Sequence, residues 1–182
     1  MMKDDEMTSD VYNSKFEDRL SEVMKGLDKA EKHTGKRPIY LLSITDEPTK
    51  MHEKALRAVK AGANGLLVTY SAGLGALREL TEDPEINVPI MLHCSHMIAS
   101  QPRIAWPVYA KLIRMVGADL MLTPTYWSSI PMVSLEEGIR TSQVKLAPMG
   151  HIKPTAPMPC AGVYPGLAPV IIGEYGPDIV IP

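Results

Sequence analysis

The apolar residues of this chain follow two alternating patterns, one typical of helices and one typical of buried strands. The first helical stretch runs from Asp10 to Thr34. Its apolar residues recur every three or four positions, which places them on one face of a helix. They are Phe16, Leu20, Val23, Met24 and Leu27. The next apolar run, Pro38 to Ile44, is short and continuous. Such runs are typical of parallel strands that are buried on both faces.

The same alternation continues to the end of the chain. Further strands are predicted at 65–70, 88–93, 120–123 and 178–181, and further helices at 46–61, 76–80, 104–116, 134–144 and 167–175. A strand is also expected at 155–159, although its prolines lack ladder donors. With Met1–Lys3 as the first strand, seven strands alternate with six helices, which predicts an α/β fold with parallel crossovers. This pattern alone fits both an open sheet and a (β/α)₈ barrel.

Composition and charge narrow the classes of partner. The 182 residues suit a single domain over 1–182, and a net charge of -2 with a pI near 6.2 gives no sign of a surface for nucleic acid. No apolar run is long enough for a membrane span. The two cysteines, Cys94 and Cys160, form neither a disulfide framework nor a C-x-x-C motif. We therefore expect no membrane partner and a reducing cytoplasmic location.

The first six residues carry the candidate chemistry. Residues two apart on a strand share a face, so Lys3 and Asp5 are predicted to point the same way, with Glu6 at the following turn. Two carboxylates at this spacing suit a hard divalent cation. The lysine fits such a site only if carbon dioxide converts its amine into an anionic carbamate. The simpler alternative is a solvated acidic segment ahead of a helix.

Three segments together resemble a known family. Lys3-Asp4-Asp5-Glu6 is similar to a Lys-x-Asp-Glu metal motif, and the segments 83–91 and 159–169 resemble stretches of the same proteins. The chain resembles the barrel domain of the RuBisCO large subunit, and more closely the RuBisCO-like proteins of the 2,3-diketo-5-methylthiopentyl-1-phosphate enolase type. The resemblance implies an incomplete (β/α)₈ barrel that holds about strands 2 to 8.

The resemblance also implies a ligand set. Lys3 would be carbamylated and would bind Mg²⁺ together with Asp5 and Glu6. The turn Cys160-Ala161-Gly162 would bind the substrate phosphate in place of a Ser-Gly-Gly segment, with support from a following helix N-terminus. Bound magnesium would acidify a C–H bond next to a carbonyl group.

Further residues bear on the reaction type. By resemblance, His93 would lie near the site at the end of its strand. His96 stands where the carboxylases have an arginine, and two roles are open for it: contact with phosphate or proton transfer, or that of a polar residue without a part in the reaction. Leu122 replaces a catalytic histidine of the carboxylases, and no lysine follows Thr125 in the loop that should carry one. We expect Trp127 to pack a loop rather than cover a ligand. These departures favour enolisation over carboxylation.

The functional expectation is therefore a magnesium-dependent enolase or isomerase that acts on a phosphorylated ketose or diketose, as in methionine salvage. Two alternatives remain, a true carboxylase of archaeal type and a barrel fragment without catalytic activity. The chain is expected to be truncated at both ends and to have little activity alone. The full-length protein is expected to form a homodimer or a larger oligomer, and the catalytic base is expected to lie outside this chain.

Overall fold

The computed structural model describes residues 1–8, 10–95, 104–129 and 133–181. The chain folds into two compact units, Met1–Met91 and Leu92–Pro182. Both units are built from strands that alternate with helices along the chain. Among the described residues, no helix combines the length and the apolar character needed to cross a membrane.

The first unit contains three strands joined by helices. The strands are β1 (Met2–Lys3), β2 (Tyr40–Ser43) and β3 (Leu66–Thr69), and the helices are α1 (Phe16–Thr34), α2 (Pro48–Lys60) and α3 (Leu74–Glu82). Strand β2 pairs in parallel with both β1 and β3. A fourth strand, β4 (Ile90–His93), crosses the boundary between the units. Parallel neighbours joined by helices are what the alternating sequence pattern predicts.

Helix α1 packs through the apolar face that the sequence predicts, but it begins later than predicted. Its N-terminus is Phe16 rather than Asp10. The Oδ1 atom of Asp10 accepts a hydrogen bond from the backbone N–H of Phe16 at 3.2 Å, and Val11 pairs with Ser14 in an isolated bridge. Aspartate favours such capping because its side chain competes with helical backbone bonds. The apolar spacing itself begins at Phe16, where the helix begins, so the predicted start at Asp10 went beyond the apolar pattern.

In its described residues, the second unit contains two more strands and three helices. The strands are β5 (Leu120–Pro124) and β6 (Ala156–Cys160), and the helices are α4 (Trp106–Met115), α5 (Leu135–Leu146) and α6 (Ala168–Tyr175). Strands β5 and β6 pair in parallel. The guanidinium of Arg114 on α4 is buried and donates to four backbone carbonyls around the end of α5 and the loop before β6.

The orientation of the proline nitrogens in β6 explains why this strand can pair with β5 and why the predicted strand at 178–181 does not form beside it. The N–H of Ala156 donates to Asp119 O on the β5 side. Alternate residues of a strand donate to opposite sides, so the nitrogens of Pro157 and Pro159 face away from β5 and cost that pairing nothing. They leave few donors for a neighbour on the other side. There, the N–H of Val180 donates to Pro157 O without a strand forming. The prediction of a seventh strand was therefore wrong for the described residues.

Candidate active site

The Lys-x-Asp-Glu motif lies at the end of strand β1. The Nζ atom of Lys3 lies 3.6 Å from Glu6 Oε2, with 26% and 22% of the two side chains exposed. The same Nζ donates to the backbone oxygen of Asp4 at 3.0 Å. Asp5 is exposed, and its Oδ1 accepts the N–H of Met7 at 2.8 Å. The structure thus brings Lys3 and Glu6 together and holds the Asp5 carboxylate at the following turn.

Asp4, the variable position of the motif, anchors it to the fold. Only 5% of Asp4 is exposed. Its Oδ2 accepts hydrogen bonds from Arg19 Nε and from the backbone N–H of Ser43, both at 2.8 Å. Its Oδ1 accepts the hydroxyl of Tyr40, and burial together with this bond raises the pKa of Tyr40. Asp4 therefore connects the end of β1 to α1 and to β2.

The role of Asp4 was missed in the sequence, although one signal was available. Side chains alternate across a strand, so a residue between Lys3 and Asp5 faces the opposite side. An acidic residue on the helix-facing side needs a buried cation, and Arg19 lies one turn inside α1. The sequence did not reveal which of the many basic residues would supply that charge.

His93 is the last residue of β4, and 7% of it is exposed. Its Nδ1 accepts the backbone N–H of Ser95 at 3.2 Å. In a neutral imidazole one nitrogen accepts and the other donates, so this bond assigns the ring proton to Nε2. In that tautomer, Nε2 of His93 can donate a hydrogen bond. His96, the other predicted histidine, lies outside the described residues.

The turn after β6 has the backbone conformation that glycine favours at two successive residues. The φ angles of Ala161 and Gly162 are 70° and 84°. Ala161 is the non-glycine residue with positive φ among those described. It therefore adopts the conformation of the glycine that the resemblance expects there, at a steric cost of about 1–2 kcal/mol.

Ser129, which follows β5, holds this turn in place. Its backbone N–H donates to Ala161 O at 2.8 Å, and its hydroxyl donates to the same oxygen at 3.3 Å. A Cβ atom added to Gly162 would lie 2.8 Å from Ser129 Oγ, so a larger residue would displace the contact. The following helix, α6, begins at Ala168, one residue after its predicted start, and a 3₁₀ turn at Pro165–Leu167 lies between the turn and this helix.

Trp127 and Leu122, two residues whose identity bears on the reaction type, pack within the fold. The Nε1 atom of Trp127 donates to Glu174 Oε2 at 2.8 Å, and its ring contacts Tyr126 edge to face. These contacts attach the loop to α6, in line with the expected packing role. Lys153 is exposed and pairs with Asp119 at 2.6 Å. Leu122 is buried, so its apolar side chain fills core space.

A buried lysine in the second unit was not predicted. Lys145, near the end of α5, is fully buried, and its Nζ donates to Met121 O at 3.1 Å and to Thr123 Oγ1 at 3.0 Å. Burial lowers the pKa of Lys145 to about 7, and the nearby thiols of Cys94 and Cys160 oppose part of that shift. Helical periodicity was the available signal, because residues four positions apart share a helix face and Thr141, four positions before Lys145, is also buried.

Comparisons with known proteins agree with this fold and motif. Residues 1–180 match the family described as the ribulose bisphosphate carboxylase large chain, catalytic domain. A ribulose bisphosphate carboxylase-like protein of Archaeoglobus fulgidus is 33% identical over all of this chain and 43% of its own length. A 2,3-diketo-5-methylthiopentyl-1-phosphate enolase of Bacillus pumilus is 34% identical over 99% of this chain and 45% of its own length.

Solved structures give the same result at the level of the fold. The octameric ribulose-1,5-bisphosphate carboxylase/oxygenase of Pyrococcus horikoshii matches with a TM-score of 0.90 and 29% identity, over 99% of this chain and 45% of that chain. The predicted fold class, an incomplete (β/α)₈ barrel, is confirmed. The chain spans less than half the length of the curated relatives that it matches.

Proposed function

We propose, from the premise that this chain belongs to the family of ribulose bisphosphate carboxylase large-chain catalytic domains, that it carries the metal-binding and phosphate-binding residues of a RuBisCO-like enolase. The substrate class is a phosphorylated ketose or diketose. The reaction is the removal of a proton next to a carbonyl group. Support comes from the relative named as an enolase and from the absence of a lysine in the loop after Thr125.

The observation that carries the proposal is the position of the Lys3 amine beside the Glu6 carboxylate, 3.6 Å away. Among the described residues, no group of three histidine, cysteine, aspartate or glutamate side chains could hold a metal ion. In the proposed site, carbamylated Lys3 would be the third anionic group beside Asp5 and Glu6. Lys3 carbamate, Asp5 and Glu6 would then offer the hard oxygen donors that Mg²⁺ prefers.

The donor set fits magnesium on chemical grounds. A carbamate on Lys3 would place negative charge near the Glu6 carboxylate, and a divalent cation held by both groups would offset the repulsion between them. When bound, the cation would supply positive charge that favours loss of a proton next to a carbonyl group. Asp4 would position the ligands rather than bind the metal, because its hydrogen bonds to Arg19 and Ser43 fix the backbone between Lys3 and Asp5.

Two further groups of this chain have proposed roles. The turn at Cys160, Ala161 and Gly162 would bind the substrate phosphate through its backbone, since small side chains allow an anion to approach the N–H groups. His93 would donate to a substrate oxygen, because its Nδ1 is engaged by Ser95 N–H and Nε2 carries the proton. His96 remains a predicted phosphate contact or proton-transfer residue.

Calorimetric titration with Mg²⁺ tests the metal assignment without requiring turnover. The native chain should bind Mg²⁺ in bicarbonate and bind it much more weakly when carbon dioxide is removed. Lys3→Ala should abolish the bicarbonate-dependent part. Lys25→Ala is a matched control, since Lys25 also pairs with a glutamate three positions away, at 2.7 Å, and should bind normally. Equal binding by the native chain and by Lys3→Ala would refute the metal assignment.

A further inference from the structure

The two cysteines of this chain, 66 positions apart in the sequence, meet inside the second unit. Cys94 directly follows β4, and Cys160 is the last residue of β6. Both side chains are buried, with 0% and 8% exposed. The thiol of Cys94 is hydrogen-bonded to Cys160, and this bond together with burial raises the pKa of Cys94. The proposed metal and phosphate chemistry uses neither the Cys94 thiol nor this contact.

The two thiols are not equivalent. Cys94 is fully enclosed, whereas 8% of Cys160 is exposed. Cys160 is therefore the sulfur that a small oxidant reaches first, and Cys94 is placed to resolve the product. The buried amine of Lys145 interacts electrostatically with both sulfurs.

We propose that Cys94 and Cys160 form a reversible disulfide whose oxidation alters the turn at Ala161 and Gly162. The regulatory part rests on the proposed phosphate-binding function, whereas formation of the bond does not. Cys160 immediately precedes the turn, and a covalent bond brings two sulfurs closer than a thiol contact does. Movement of Cys160 toward Cys94 would displace Ala161 O from Ser129, the group that holds the turn.

The oxidant in this proposal is a hydroperoxide, which is small enough to reach a nearly buried thiol. The Cys160 sulfur attacks one peroxide oxygen, the O–O bond breaks, and the departing oxygen leaves as water or an alcohol after it takes the thiol proton. The Cys94 sulfur then attacks the resulting sulfenic acid, the S–O bond breaks, and water leaves with the Cys94 proton. Two thiols are oxidised to one disulfide, and one peroxide bond is reduced.

Thiol counting on the full chain tests bond formation. The sequence has 12 methionines that also take up oxygen, so maleimide labelling after unfolding is more selective than total mass. The reduced chain should take two labels. After brief exposure to hydrogen peroxide it should take none, and a dithiol should restore both. Because the chain has two cysteines, an internal disulfide can join only this pair. Two labels after peroxide, or labels that a dithiol cannot restore, would overturn the proposal.

Binding of inorganic phosphate tests the regulatory part. The reduced chain should bind phosphate, the oxidised chain should lose binding, and a dithiol should restore it. Cys94→Ser keeps Cys160 in the turn but removes its partner, so it should still bind after brief exposure to peroxide and dithiol treatment. Equal binding by the reduced and oxidised native chain would refute regulation. A reduced chain that never binds phosphate would refute the phosphate assignment, while the labelling result would still decide whether the disulfide forms.

Discussion

At the scale of single residues, Ala161 shows how the chain keeps a glycine-like turn without glycine. Its φ of 70° is a conformation that alanine adopts at a cost, and Gly162 follows at 84°. The sequence indicated that alanine stands where a glycine was expected. The sequence did not indicate whether the backbone at Ala161 would adopt a different conformation or would keep a positive φ at a cost in strain. The hydrogen bonds from Ser129 to Ala161 O explain why the strained turn persists.

Ala161→Gly should therefore stabilise the chain by about 0.5–1 kcal/mol, since relief of the strain exceeds the added entropy of glycine in the unfolded state. Urea denaturation of the reduced chain would measure the change. Ala147→Gly is the control. Ala147 has a φ of -57°, so glycine there should be neutral or destabilising. If Ala161→Gly destabilised the chain as much as the control does, φ at 161 would not be a source of strain.

The burial of Lys145 leads to a second prediction at the scale of single residues. Burial lowers its pKa from 10.5 to about 7, so between these values the unfolded chain binds the proton and the folded chain does not. The unfolded chain then binds more protons, and the contribution of Lys145 to stability rises with pH across this window. The groups whose charges act on it are the Cys94 and Cys160 thiols, and its hydrogen-bond acceptors are Met121 O and Thr123 Oγ1.

Lys145→Met should remove this pH-dependent contribution and raise the free energy of unfolding at pH 7, since each unit of depressed pKa corresponds to about 1.4 kcal/mol. Denaturation of reduced protein at several pH values from 7 to 10.5 would measure it, a window set by the two pKa values. Lys111→Met, at an exposed position of α4, should leave the pH profile unchanged. Parallel profiles for the native chain and Lys145→Met would contradict the burial argument.

At the scale of secondary-structure elements, Asp4 joins β1, α1 and β2 through one carboxylate. The sequence predicted α1 and β2 from their apolar patterns, Met1–Lys3 was counted as the strand before them, and the parallel pairing followed from the alternation of strands and helices. The apolar spacing of α1 begins at Phe16, where the helix begins, so the predicted start at Asp10 went beyond that pattern. The missing strand at 178–181 could not be predicted, because it depends on the side to which the proline nitrogens of β6 point, and hydrophobic patterning does not show that side.

Asp4→Ala should cost about 3–5 kcal/mol, because it leaves the Arg19 guanidinium, 10% exposed, without its carboxylate partner. Asp28→Ala, which removes an exposed partner of Arg37, should cost no more than about 1 kcal/mol. Chemical denaturation would compare the two variants. A similar small cost for both would show that the Asp4 contacts do not hold these elements together.

At the scale of the whole molecule, the family is established by a match over residues 1–180, and the fold class by a solved structure with a TM-score of 0.90. The ordered series of motifs was enough to predict both from sequence. The prediction of a single domain over 1–182 and that of a homo-oligomer remain predictions. So do the roles of Lys3, His93 and the turn at 160–162, since these depend on ligands and on reactions that a sequence pattern only suggests.

The central claim is that Lys3 becomes an anionic metal ligand. Native mass spectrometry of the chain in bicarbonate and Mg²⁺ tests it most directly, because a carbamate adds about 44 Da for each carbon dioxide bound. We predict this addition, together with bound magnesium, for the native chain and for Lys25→Ala, and its loss in Lys3→Ala. An addition that persists in Lys3→Ala, or magnesium binding by the native chain without any addition, would contradict the account.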